Sequence, residues 1–126
     1  MAQTQIAVSE DGNECLELIL KETNLFKDEQ SIGKFAAFYA IKEELGDNLI
    51  FKSKKTKWGI GSFDSNGSIT KIIGEFFPED ADKSVEKLEY LINAGLSKMN
   101  KEMKINNNWL NKEIELMTDS IIHSSD

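Results

Sequence analysis

The chain has 126 residues, 40% of them hydrophobic and 29% charged, with a formal net charge of −7; that is the size and balance of one ordinary soluble domain spanning 1–126. Every base is a lysine, which removes the bidentate fork that reads guanine edges, and a single cysteine excludes an internal disulfide. No apolar run reaches the length of a membrane span, so a reducing cytoplasm is the expected location.

Thr4–Val8 (TQIAV) reads as a short strand. Asp11 and Glu14 stand at capping-box spacing and are followed by Cys15, Leu16, Leu18, Ile19 and Leu20, so a helix over about 12–23 is expected. Cys15 falls in that apolar run as a buried structural thiol. Asp28 offers the N-cap of a second helix, Glu29 suits its positive end, and Gly46-Asp47-Asn48 supplies the stop. This second helix is apolar all round: Ile32, Phe35, Ala36 and Tyr39 form one stripe, Phe38, Ile41 and Leu45 the opposite one. Such a helix needs neighbours on two sides. Either other helices of the chain or a second copy would provide them, and Ile32, Phe35, Phe38, Tyr39 and Ile41 are the candidate core of a homodimer. Strand, helix, helix is also the order of a ribbon-helix-helix module, although the strand has no basic residue with which to read DNA.

Leu49-Ile50-Phe51 forms a short extended anchor, and Lys52, Lys54, Lys55 and Lys57 then lead into Trp58. Residues 52–71 hold five lysines against one acid, a basic island between acidic flanks. A lysine loop beside an exposed aromatic suits phosphate and a stacked base; a solvated loop with the tryptophan turned inward is the plainer expectation, and net charge disfavours nucleic acid. Gly59-Ile-Gly61 lacks the third glycine of a dinucleotide loop. Ser62, Asp64, Asn66 and Gly67 imitate a calcium loop, but its twelfth position is Ile73 where a glutamate is required, so the segment reads as a turn.

Ser68 is the expected cap of a helix carrying Ile69, Ile72, Ile73, Phe76 and Phe77, which Pro78 ends. A long surface helix over about 82–104 places Val85, Leu88, Ile92, Leu96, Met99 and Met103 on one stripe, with Gly95 as a close-packing point or a kink. Glu75, Glu79, Asp80, Asp82, Glu86 and Glu89 make the densest acidic tract, suited to a basic protein partner or simply to solvent. Residues 104–126 read as a helical extension with Leu110, Ile114, Met117 and Ile121 on one face. His123 lies in a polar tail, and one histidine with one cysteine makes neither a zinc set nor an activated nucleophile. No cofactor, metal or enzymatic activity is expected.

Three pieces, Ile6-Ala-Val8, Leu25-Phe26 leading to Ile32-x-x-Phe35-Ala-Ala37, and Tyr90-Leu-Ile-Asn93-Ala-Gly95-Leu96, resemble the small accessory proteins encoded beside bacterial DNA phosphorothioation (sulfur-modification) gene clusters. The resemblance covers residues 4–103. It implies a bacterial or phage defence context and an accessory or regulatory role, and transfers no catalytic residue. The expectation is therefore a mainly α (α+β) fold opening strand-helix-helix, a non-enzymatic accessory protein, and a homodimer. The alternatives are an acidic inhibitor or immunity-type protein for a basic nucleic-acid-handling partner, and a ribbon-helix-helix-like DNA binder.

Overall fold

A computed structural model describes residues 3–46 and 48–124, with side chains to residue 119. Asp47 and the side chains of Ile121 and His123 lie outside the described residues. The order is β1 (Gln5–Val8), α1 (Glu10–Glu22), α2 (Glu29–Lys42), β2 (Lys55–Gly59), α3 (Ile60–Phe63), α4 (Ser68–Phe76), a 3-10 turn (Pro78–Lys83), α5 (Ser84–Ile105) and α6 (Trp109–Ser124). The fold is mainly helical and opens strand-helix-helix, as the sequence pattern implies. No described helix is long and apolar enough to cross a membrane.

The middle of the molecule is α5 rather than α2. Every residue from Leu91 to Leu96 is buried, and α1, α2, α4 and β1 all pack on this helix. The expectation of a surface helix fails because α5 is apolar or small on more than one side over these six residues. Against it lies α2, through Ala36, Ala37 and Ala40, all buried. At the crossing, a Cβ on Gly95 would stand 2.7 Å from the carbonyl carbon of Ala36 and 3.1 Å from its Cα. The two backbones touch, so Gly95 is a packing point, and α5 runs through it without interruption.

Helix ends differ from the sequence reading in instructive ways. Ser9, not Asp11, caps α1: its Oγ accepts from Gly12 N at 3.1 Å, which starts the helix two residues early. Asp28 caps α2 as expected, its Oδ1 accepting from Ser31 N at 2.9 Å. The stop of α2 comes from Glu44, in left-handed backbone with φ 53°, while Leu45 N donates back to Ala40 O at 3.1 Å. Gly46 therefore falls beyond the helix end.

Ser68 is the first residue of α4 and not its cap. The cap comes from further back. Asp64, only 7% exposed, accepts from Ile69 N at 3.0 Å through Oδ1 and from Thr70 N at 2.9 Å through Oδ2. Burial alone would raise its pKa; the N–H groups of Thr70 and Ile69, the Thr70 hydroxyl and nearby Lys34 outweigh that and hold it below the ordinary value.

β1 pairs antiparallel with β2 of its own chain: Ile6 faces Trp58, Ala7 faces Thr56 and Val8 faces Lys55. Residues expected as a basic loop are thus half strand. The pairing also departs from a ribbon-helix-helix module, whose strands pair between two chains. Ile6 and Val8 point into the core, both fully buried.

Two outcomes follow from this packing. Gly95→Ala gains about 1 kcal/mol of helix propensity but drives a methyl into backbone that cannot swing aside, an overpacking cost of about 1–3 kcal/mol. A lower urea midpoint than the wild type is expected; an unchanged or higher one contradicts the contact. Asp64→Asn keeps one acceptor but sets an amide NH2 where Oδ1 or Oδ2 meets a backbone N–H, and should cost about 1–3 kcal/mol at neutral pH for the donor left unsatisfied. Because the folded pKa is depressed, the contribution of Asp64 is complete above the unfolded pKa of about 3.9 and is lost as pH falls through the folded value. Thermal melts at pH 7 and pH 3 should therefore differ less for Asp64→Asn than for the wild type.

Candidate interaction surfaces

The basic island does not remain a free cluster. Lys54 Nζ lies 3.1 Å from Glu89 and Lys57 Nζ lies 3.1 Å from Glu29, whereas Lys52 and Lys55 are exposed. Trp58 is half-buried. Its indole lies over Gly33, where a Cβ would come within 2.9 Å of the ring, and beside Phe63 at 5.1 Å between centroids. The tryptophan is turned inward, its six-membered ring held against Gly33 and Phe63.

The acidic tract divides in two. Glu89 belongs to the sheet: its Oε1 accepts from Ala7 N at 2.7 Å and from Gln3 Nε2 at 3.0 Å, and its Oε2 faces Lys54. The other members sit on α4, the 3-10 turn and the start of α5, with Glu75, Glu79, Asp82 and Glu86 exposed and Asp80 half-buried. Among them stands Phe76, 59% exposed, with Ile72 one turn earlier at 38%. Phe77 points the other way and takes Lys87 Nζ at 4.4 Å from its ring centre. Two large apolar side chains are thus exposed on α4, the helix that carries Glu75 and leads into Glu79 and Asp82.

Of the candidate dimer residues, Ile32 and Tyr39 are buried within the chain itself. Tyr39 continues a row of rings, with Phe35 at 6.2 Å and Trp109 of α6 at 5.5 Å. Phe35 and Ile41 are half-buried, and Phe38 is 37% exposed. α6 meets α2 on the Tyr39 stripe through Trp109, and its Glu113 lies 2.8 Å from Lys42; Leu110 of α6 is fully buried, while Phe38 on the other stripe stays exposed. The extension from residue 104 is docked along this part of its length.

Asn93 was not singled out for its chemistry, and it has the most consequential polar contacts in the molecule. Fully buried, it accepts from Ser9 N at 2.8 Å and donates to Ala7 O at 3.0 Å. The available signal was its place in Leu91–Leu96, where it is the one polar side chain in a buried run and therefore required partners.

A cavity of about 650 Å³ lies between the start of α1, Leu45, residues 49–52 and α5. Glu10, Asp11 and Glu102 face it together with Lys52, Lys98 and Lys101, three charges of each sign, so its charge selects no ion. Among the described residues no three His, Cys, Asp or Glu side chains converge as a metal site requires. Burial, with the charge of Glu14 adding to it, pushes the Cys15 thiol up to about 12, which keeps it protonated and unreactive. No family model, curated protein or solved structure matches this chain.

Proposed function

We propose that this protein is a non-enzymatic accessory or regulatory protein that acts by docking a basic protein partner on the face formed by α4, the 3-10 turn and the start of α5. The observation that carries this reading is Phe76, 59% exposed among the exposed carboxylates of Glu75, Glu79, Asp82 and Glu86. An aromatic anchor supplies buried area at an interface core, and a carboxylate rim steers a cationic surface to it. The resemblance to accessory proteins of DNA phosphorothioation clusters supports a partner that handles DNA, and such proteins need basic surfaces. Direct duplex binding is the weaker reading, since Lys54 and Lys57 are engaged by Glu89 and Glu29.

The products of the neighbouring genes are the proteins to titrate against the purified chain by calorimetry. A basic one should bind, more weakly as salt rises. Phe76→Ala should weaken it by at least tenfold, about 1.4 kcal/mol, without lowering the melting temperature. Equal binding by wild type and Phe76→Ala would remove the face from consideration.

A further inference from the structure

Exposed apolar groups and unpaired charges coincide on one face away from Phe76. This face is the side of α5 that borders the cavity, together with the start of α1 and residues 49–52. Ala94, Ser97, Lys98 and Lys101 line the cavity at helical spacing. α5 runs on to Ile105, one turn past Lys101, so Ile105 shares their face. Ile105 is 81% exposed, and Ile50, which borders the same cavity, is 90% exposed. Among the described residues these are the two most exposed large apolar side chains.

The charges around the cavity are sorted by element. Glu10 and Asp11 come from α1, Lys98, Lys101 and Glu102 from α5, and Lys52 from the connecting segment. None of the six has an opposite charge within salt-bridge distance among the described residues, whereas Lys54, Lys57 and Lys104 each meet a carboxylate. A chain of net charge −7 repels its own copy over most of its surface. At the Phe76 face, carboxylates of one copy would meet carboxylates of the other. The cavity face has three charges of each sign, so two copies can meet there without that repulsion. A two-fold axis sets a patch against itself. An axis passing between α1 and α5 therefore lays the α1 acids of one copy opposite the α5 lysines of the other.

We propose that two copies of this chain associate through this face, with Ile50 and Ile105 supplying the apolar contact and Glu10 and Asp11 of one copy pairing with Lys98 and Lys101 of the other. The homodimer then forms away from α2, whose Ile32 and Tyr39 are buried within one chain. The face shares no residue with the Phe76 patch, so either stands without the other.

Sedimentation equilibrium of the full chain, from micromolar to millimolar concentration, tests this. The wild type should pass from monomer to dimer. Ile50→Asp changes a side chain already in solvent and should weaken the dimer at least tenfold, whereas Phe76→Ala should leave it unchanged. Two charge variants test the pairing: Glu10→Lys with Asp11→Lys, and Lys98→Glu with Lys101→Glu. Each should be monomeric alone, because like charges then face one another across the axis. Mixed in equal amounts, the two should form a dimer again, since acids once more meet lysines. Ile50→Asp keeps the test decisive if a charge variant fails to fold. A wild type that stays monomeric at millimolar concentration would overturn the proposal. So would an undiminished Ile50→Asp dimer, folded charge variants that fail to associate when mixed, or loss of the dimer in Phe76→Ala.

Discussion

A single buried amide joins the two ends of this chain. Asn93 sits on a helix formed late in the sequence and satisfies backbone groups on either side of Val8, in a strand formed at its beginning. An unpaired buried backbone group costs about 1–3 kcal/mol, and β1 would carry several along this edge without Asn93 and Glu89. Two residues further along α5, Gly95 lets α2 come into backbone contact. One turn of helix thus fixes the sheet by hydrogen bonds and α2 by close packing. The first contact is directional and sets register. The second is steric and sets distance.

Charge is distributed to match. The carboxylates nearest the lysines are used inside the fold: Glu89 holds Lys54 and the strand, and Glu29 holds Lys57 at the start of α2. Exposed pairs of this kind add little to stability, about 0–1 kcal/mol each. Their effect is on surface character, since they partly neutralise the basic segment and leave the excess of acid to the face around Phe76. A net charge of −7 over the whole chain hides that division.

How far this was legible in the sequence depended on whether the governing constraint was local. The α2 cap at Asp28, the break at Pro78 and the periodicity of α4 and α5 are set by neighbours a few residues away, and all were readable. The stop of α2 was misplaced because a glutamate adopts the left-handed conformation that glycine usually takes. The cap of α4 was misplaced because Asp64 reaches forward five and six residues, past the adjacent serine. β2 was missed for another reason. Its lysines read as solvated loop, and only pairing with a strand 50 residues earlier makes a sheet of Thr56–Trp58. The acidic tract was legible as composition, but its division at Glu89 was not, because that side chain answers to Ala7, 82 positions away.

The sequence distance across the Asn93 contact has a consequence for the order of events during synthesis. The hydrogen bonds that tie β1 to α5 span 82 to 86 residues. At translation rates of about 5–20 residues per second, roughly 4–17 s separate the appearance of the strand from that of its anchor. Late in that interval α1, α2 and β2 have all been made, yet the edge of β1 away from β2 has no partner and the alanine face of α2 has no helix to cover it. Contacts of such high order also slow folding of the finished chain. The nascent chain thus leaves one strand edge and one helix face uncovered until α5 emerges and closes both openings in a single step.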